Sequence, residues 1–379
     1  MKLNKKCMLL ITAILISLLM FSGCSLAKKH SSSKSDSKTE TTKNLLSSEN
    51  TQDDLKDSSD DSDDNTDTSD NNDSENSVDS SNVSSAESTI TPAVWEVTDT
   101  NGNTIYMMGS IHMADSDATV LPEYFENAYA GCDYLAVECD ITNVQLNSIS
   151  AYKQIMYLDG TTIKDHVSAE SYDKVVEILK NAGQYISSYD YMKPIMWVDL
   201  IEIAGANKSG LSDKYGVDVN LINRAKSEGK EVLEVESVEF QYSLLANLSD
   251  NIQSMLFDSI AHDEIIETTI DEITSLYDKW KTGTMTAEDA SESTDDEDLT
   301  EEEVKLLEEY NNILLYNRNV GMADKAIEYM NDGKKVMFVV GAAHFYGDKG
   351  ILKLMENAGC TVSRITPDSE TVSEMPDAA

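Results

Sequence analysis

Two short runs far apart in the chain share one pattern, an apolar strand that stops at Gly-x-x-His. The first run ends at His112 and the second at His344. Only five histidines occur in the 379 residues, so two of them at matching strand ends constrain the fold strongly. We expect the glycine to let the backbone turn sharply after the strand. The histidine would then project from the C-terminal edge of the sheet, where open α/β sheets bind ligands.

The match between the two runs extends beyond the motif. Each motif leads into a helix-like stretch that closes on Ala-Gly-Cys before another apolar strand, at residues 130–132 and 358–360. Each copy therefore predicts a βαβ unit. The predicted fold class is α/β, with a mixed or mainly parallel central sheet built from two βαβ Gly-x-x-His units and a large helical insertion between them.

Turn and cap residues divide the rest of the folded part. Residues 93–97 and 104–108 flank Asp99-Thr100-Asn101-Gly102-Asn103, which predicts a β-hairpin. Helical patterns follow from about residue 142 to 209, with Pro194 expected to start or kink a helix. A further helix is expected to end at Gly229, before a strand at 231–235.

The N-terminal segment has the features of an export signal. Residues 1–23 combine a basic start with an apolar stretch and end in Phe21-Ser22-Gly23 before Cys24. This order predicts a bacterial lipoprotein signal, with lipid modification at Cys24 and an extracytoplasmic, lipid-anchored location on the cell membrane. Because Phe21 stands where leucine is usual, ordinary signal cleavage and an uncleaved anchor remain alternatives.

The segment after the signal is too polar to fold. Residues 25–91 contain six Lys and sixteen Asp plus Glu with almost no large apolar residues. We therefore predict a signal at 1–23, a disordered tether at 24–92, a folded domain at 93–367 and a disordered tail at 368–379. The net charge of -40 argues against nucleic acid as a partner, because phosphate neutralisation needs a basic face.

Carboxylates follow two other predicted strands. The strand at 134–137 delivers Glu138, and a short crossover helix should place that strand parallel and close to the strand before His112. The strand at 231–235 ends in Glu236 and Glu239. The second Gly-x-x-His copy brings no acid of its own, so we expect His344 to draw on Glu236, Glu239 or Arg318 from the middle of the chain.

Six motifs follow one another along the folded part of the chain: Gly109-Ser110-Ile111-His112, Glu138, Gly216-Val217-Asp218, Glu236-x-x-Glu239-x-Gln241, Arg318-Asn319-x-x-Met322-Ala323 and Gly341-Ala342-Ala343-His344. In this order they resemble the TraB/GumN/PrgY family, to which the animal TIKI Wnt-inactivating proteases belong. The resemblance covers about residues 95–365. It implies an α/β core related to the ChaN and erythromycin esterase folds. It also implies a site on the paired Gly-x-x-His motifs, with metal-dependent proteolysis in TIKI members and peptide inactivation or sequestration in pheromone-shutdown members.

The candidate site residues suit a divalent ion of intermediate hardness, such as Mn, Co or Zn. The predicted ligands are His112, His344, Glu138 and Glu236. Glu138 or Glu239 would act as the general base. Arg318 would stabilise an oxyanion or hold a substrate carboxylate, although in an acidic helical neighbourhood it could also be a plain ion-pair residue.

The expected function is that of a membrane-anchored, metal-dependent peptidase acting on extracellular peptides or protein termini. Two alternatives use the same residues. One is a metal-free esterase-type hydrolase with a histidine base held by a glutamate. The other is a surface protein that captures a peptide without cleaving it. Three cysteines remain after Cys7 and Cys24, and we expect Cys132 and Cys360 to be small buried apolar residues.

Overall fold

The computed structural model describes residues 88–142, 153–291 and 299–366. All of these residues fall in one compact unit. The predicted signal, Cys24 and nearly all of the predicted tether lie outside the described residues. Within the described ranges, no helix is both long enough and apolar enough to span a bilayer.

A six-stranded mixed sheet forms the centre of the fold, in the order β4-β3-β5-β2-β1-β6. Strands β4, β3, β5 and β2 are mutually parallel, whereas β1 runs antiparallel to both β2 and β6. The α/β class with a mixed sheet and a helical insertion is therefore confirmed. The strands are β1 Val94–Thr98, β2 Thr104–Ser110, β3 Tyr134–Val137, β4 Glu231–Glu234, β5 Val336–Gly341 and β6 Thr361–Ile365.

Strand β5 lies between β2 and β3, the two strands that we expected to be close in the sheet. Five of its six residues, from Val336 to Val340, are fully buried. A strand that is apolar on both faces is most stable at the centre of a parallel sheet, with neighbours on each side and helices over each face. The two Gly-x-x-His strands, β2 and β5, are consequently direct neighbours.

The predicted hairpin between β1 and β2 is confirmed. Asp99 N donates to Asn103 O at 2.9 Å, and the side chain of Asp99 accepts from the backbone of Asn101 and Asn103. Gly102 has φ of 86°, a left-handed conformation that glycine adopts without steric cost. The pairing places Val94 opposite Met108 and aligns β2 with its end in the site.

Helices cover both faces of the sheet and form the insertion. Pro194 takes the first position of α3, where its missing N–H costs nothing, and Gly229 ends α4 with φ of 77°. Helix α3 is buried on nearly all sides, against α6 and α7. The α-helices of the described ranges are α1 Glu123–Ala130, α2 Ala169–Asn181, α3 Pro194–Ser209, α4 Val217–Glu228, α5 Val238–Ala246, α6 Asp250–Ser259, α7 Ile265–Lys281, α8 Glu301–Asn311, α9 Asn317–Asn331 and α10 Ile351–Asn357.

Packing begins a few residues before the predicted domain boundary at residue 93. Ile90 is buried in the apolar cluster that also contains Phe125 and Tyr129, and Tyr124 Oη donates to Pro92 O at 2.7 Å. An isolated isoleucine at the end of a polar tether carries no periodic signal. Its burial was therefore invisible to pattern reasoning.

A buried carboxyl in α7 makes stability depend on pH. Burial, with a smaller contribution from Asp271, raises the pKa of Glu272 to about 8, against about 4.3 in an unfolded chain. The folded state therefore binds one more proton between these values, and stability falls as pH rises through this range. We expect Glu272→Gln to flatten the fall in the free energy of unfolding, measured by urea titration between about pH 5 and pH 8.

The matched control is Glu267→Gln, which alters an exposed carboxyl in the first turn of the same helix. Its pH profile should follow that of the wild type. A Glu272→Gln profile as steep as the wild-type one would contradict the assignment.

Candidate functional site at the C-terminal strand edge

Four parallel strands end at one edge of the sheet, and each delivers a candidate residue there. His112 follows β2, His344 follows β5, Glu138 follows β3 and Glu236 follows β4. The edges of β3 and β4 are joined by Glu236 N, which donates to Glu138 O at 2.8 Å. The parallel arrangement thus brings together four side chains that are far apart in sequence.

The two motif glycines permit close approach and do not make a left-handed turn. Gly109 lies within β2, and Gly341 has φ of -49° and ψ of 135°, which any residue can adopt. A Cβ atom on Gly109 would lie 2.7 Å from Ala342 Cα, and one on Gly341 would lie 2.9 Å from Glu138 Oε1. We expected glycine at these positions because it allows a sharp turn, and that reason was wrong. Glycine is needed because a side chain would clash with closely packed neighbouring atoms.

Arg318 binds both strand-end glutamates. Its Nη2 donates to Glu138 Oε2 and to Glu236 Oε2, both at 2.7 Å, and its Nε donates to Glu236 Oε1 at 2.9 Å. Nη1 donates to Leu314 O at 3.0 Å. The side chain is only 5% exposed, so one buried cation is shared by two carboxylates. All three of its nitrogens have protein partners.

Gln241 completes this network from α5. Its Nε2 donates at 2.9 Å to Glu138 Oε2 and at 2.9 Å to Glu236 Oε2. Glu138 Oε1 accepts from Gly341 N at 2.6 Å. Both oxygens of Glu138 are thus fixed, and Oε1 is the one that faces the histidine of β5.

A π-helical turn precedes the residues that α9 contributes. Asn312–Tyr316 forms this turn between α8 and α9, and Asn317 N donates to Asn312 O, five residues back. Such turns insert one residue into a helix and often occur at functional sites. The inserted residue changes the direction in which Arg318 and Asn319 leave the helix, and both point into the site.

The two histidines are each held through Nδ1. His112 Nδ1 donates to Asp218 Oδ2, from the first turn of α4. His344 Nδ1 donates to Asn319 Oδ1 at 2.6 Å. In the neutral form of each ring Nε2 carries the free lone pair, which is the usual state of a metal-ligating or base histidine.

The electrostatic environments of the site residues differ. Burial and then Arg318 lower the pKa of His344 to about 3, so this ring is neutral. Burial opposes ionisation of Glu138, but the guanidinium of Arg318 outweighs it and holds the pKa of Glu138 at about 2. Burial also opposes protonation of His112, yet the carboxylate of Asp218 raises its pKa above the ordinary value.

A small cavity lies beside His112, Glu138 and Asp218. About 10 Å³ is open to the centre of a water molecule, close to the minimum that one water needs. Cys139, whose pKa burial raises, contributes to the wall, so its thiol is neutral at ordinary pH. The cavity is lined by Ser110, His112, Val137, Glu138, Cys139, Ile141, Asp218, Gln241 and Val339.

Most of the sequence-predicted residues come together here. His112, His344, Glu138, Glu236 and Arg318 form the cluster, whereas Glu239 is exposed in the first turn of α5 and does not line the cavity. Its role as a general base stays a prediction. Both Cys132 and Cys360 were expected to be buried. Cys132 is buried, whereas Cys360 is half-buried.

Three residues of the site had no role predicted from the sequence. These are Asp218, Gln241 and Asn319, each of which belongs to one of the ordered motifs. Their presence in those motifs was the only signal available. Nothing in their residue type distinguishes an amide or carboxylate that holds an imidazole from one that caps a helix.

The nitrogen and oxygen donors of the site residues suit a divalent ion. His344 Nε2 lies 3.6 Å from Glu138 Oε1, and two donors about 2.1 Å from a tetrahedral ion would be about 3.4 Å apart. In the described ranges no three His, Cys, Asp or Glu side chains already converge as a complete ligand set. The fit therefore rests on one close donor pair and on the free Nε2 of His112.

Comparison with known proteins gives a consistent result. The sequence model of the TraB/PrgY/gumN family matches residues 93–364. The chain is 24% identical over 265 residues to "Uncharacterized protein YbaP" of Escherichia coli (strain K12), covering 70% of this chain and 92% of the relative. It is 24% identical over 251 residues to the protein of the same name from Shigella flexneri, covering 66% and 87%. No solved structure matches significantly.

Proposed function

This chain belongs to the TraB/PrgY/gumN family, and from that premise we propose that it is an exported hydrolase, anchored through Cys24, that cleaves amide bonds in extracellular peptides or protein termini with a divalent metal ion. The observation that carries the proposal is the 3.6 Å separation of His344 Nε2 and Glu138 Oε1. Both atoms are acceptors in a nearly dry site. A cation beside them would satisfy both lone pairs.

Each residue has a distinct part in this scheme. His344 and Glu138 would hold the ion through Nε2 and Oε1, and His112 would supply its Nε2 as a third donor. A bound divalent ion supplies Lewis-acid polarisation of the scissile carbonyl and acidifies a water. Glu236, with both oxygens accepting from Arg318, serves as a charge partner and not as a ligand.

Arg318 acts through Glu138 in this proposal. Its guanidinium neutralises two carboxylates and keeps Glu138 ionised, so that Oε1 is available as an acceptor for the ion or for a proton of the attacking water. A direct contact with the substrate oxyanion would require one of its present hydrogen bonds to be given up. The site is thus supported by a rigid ion-pair network behind the reacting atoms.

A metal-free hydrolase is the second candidate, and one observation favours it. The contact of Asp218 with His112 Nδ1 is the arrangement that orients a histidine as a general base. His112 lines the cavity that accommodates one water. In this version His112 removes a proton from the water, and the ion-pair network stays as a scaffold.

The deciding experiment measures metal content and turnover together. Full-length protein is purified in detergent, its divalent ions are quantified by mass spectrometry, and hydrolysis of a peptide library is followed. We expect about one bound ion per chain, and a loss of about 100-fold or more in ion affinity and turnover in His112→Ala and His344→Ala. His166→Ala, at an exposed histidine, is the control and should resemble the wild type.

Three results would overturn the proposal in different ways. Turnover that persists after chelation and depends on His112 favours the metal-free hydrolase. Peptide binding without any turnover favours a sequestering protein. Unchanged ion content and turnover in both histidine variants would exclude this edge of the sheet as the site.

A further inference from the structure

The two Gly-x-x-His histidines are held by different kinds of partner. His112 faces the anionic carboxylate of Asp218, and His344 faces the neutral amide of Asn319. The sequence repeat is therefore not a functional repeat. The difference lies in what α4 and α9 bring to each ring.

The start of α4 is fixed tightly to the loop that carries His112. Val217 N donates to Ile111 O at 2.9 Å, and Ala114 exchanges two backbone hydrogen bonds with Ser212, at 2.9 and 3.2 Å. Gly216 lies so close that a Cβ atom would be 2.6 Å from His112 O. Asp218 is thus held in place by its own backbone and does not depend on its contact with the imidazole.

The partner of His344 is fixed in a different way. Asn319 is fully buried, and its Nδ2 donates to Lys349 O at 2.9 Å. This bond sets the direction of the amide, so Oδ1 must be the atom that faces His344 Nδ1. A neutral acceptor suits a ring that is itself buried, only 2% exposed.

We propose that Asp218 is a positioning residue that locks His112 in the tautomer with a proton on Nδ1 and directs its Nε2 lone pair into the cavity. The effect of Asp218 on metal binding rests on the proposed function. The effect of Asp218 on the tautomer of His112 does not depend on that proposal. An anionic acceptor also makes the imidazole a stronger donor to a cation than a neutral acceptor does. Asn319 holds the same tautomer in His344 without adding charge.

The test reads the tautomer directly in ion-free protein. Full-length protein with 15N-labelled histidine is studied by NMR at alkaline pH, where imidazoles are neutral. We expect His112 to show a protonated Nδ1 in the wild type and in Asp324→Ala, which removes one charge from an exposed position. In Asp218→Ala, His112 should show a mixture of both tautomers, and the His344 signal should not change.

A second readout is the affinity for Mn²⁺ alone, measured by titration calorimetry. Asp218→Ala should weaken it about 10- to 100-fold, the usual effect of removing the group that orients a ligating histidine. Asp218→Glu should recover part of the loss, since the carboxylate is retained. If the alanine variant does not fold, Asp218→Val removes the acceptor but leaves a larger side chain in its place, and His112 should again leave the single Nδ1–H state.

An unchanged His112 tautomer in both Asp218→Ala and Asp218→Val would overturn the inference. Failure of the proposed function gives a different pattern. In that case no variant and no wild-type sample binds Mn²⁺, but the tautomer of His112 still depends on Asp218, which supports the positioning role.

Discussion

Replacing Arg318 with methionine is expected to lower the free energy of unfolding by about 3–5 kcal/mol, the usual cost of removing one partner of a buried ion pair. The guanidinium is nearly inaccessible to water and donates to both Glu138 and Glu236. Without it, two carboxylates remain buried side by side. We expect the loss in urea unfolding at neutral pH, together with a higher pKa of Glu138, because Arg318 is the main group that lowers it.

A matched control is Arg224→Met. Arg224 also makes a bidentate pair, with Glu126 at 2.8 and 2.6 Å, but its side chain is 34% exposed. Arg224 also pairs with Glu228 at 2.8 Å, and partly exposed pairs of this kind contribute about 0.2–1 kcal/mol each, so this variant should lose much less stability than Arg318→Met. A further variant that combines Arg318→Met with Glu138→Gln and Glu236→Gln should recover part of the stability. If both arginine variants lose the same amount, burial is not the cause.

Gly109→Ala is expected to cost about 1–3 kcal/mol or more, although only a methyl group is added. The new Cβ atom would lie 2.7 Å from Ala342 Cα and 2.8 Å from Ala342 Cβ. Both strands are central, and Trp280 Nε1 donates to Gly109 O at 2.7 Å, so neither side moves easily. Because Ala342 precedes His344 by two residues, displacement should also weaken the ion binding that we propose for this site.

Gly321→Ala is the control for this variant. Gly321 lies exposed within α9, and nothing lies within 4 Å of a Cβ atom built there. The change should stabilise the protein by about 0.5–1 kcal/mol, since alanine favours the helix. Thermal unfolding of the two variants should therefore shift in opposite directions. A Gly109→Ala variant as stable as the wild type would show that the strands can separate there.

The sequence predicted those parts of the fold that depend on local patterns. The β1–β2 hairpin followed from Asp99 and Gly102, which turn the chain by side-chain hydrogen bonds and a positive φ. The strand that delivers Glu138 followed from an apolar run bounded by Gly131. Such signals lie within ten residues and can be interpreted without knowing the rest of the chain.

The position of β5 could not be predicted in the same way. Nothing local to residues 336–341 states which strands will flank it. A strand buried on both faces takes the centre because the whole molecule gains apolar burial there. This choice made the two Gly-x-x-His strands neighbours and brought His344 to within 3.6 Å of Glu138.

The lack of a second carboxylate after the last Ala-Gly-Cys indicated that the middle of the chain must contribute to the site. The structure puts Glu236, Gln241 and Arg318 into the cluster, but the carboxylate that lies 3.6 Å from His344 Nε2 is Glu138, which follows the first copy of the repeat. Glu239 was expected with them, but it is exposed. Glu239, which faces water, and Gln241, which faces the site, are two residues apart, about half a turn of α5, and only the docking of the helix decides which face is buried.

By itself, the sequence determined which residue types stand at the strand ends, because apolar periodicity and the Gly-x-x-His repeat are local properties of the chain. The tertiary structure alone decided their chemistry. It set Asp218 against His112 and Asn319 against His344, joined Glu138 to Glu236 through Arg318, and gave the motif glycines their purpose as points of close contact. The physical reason is that pKa, tautomer and steric fit depend on atoms brought near by folding, and these come from distant segments, such as Glu138 and Gly341, which are 203 residues apart.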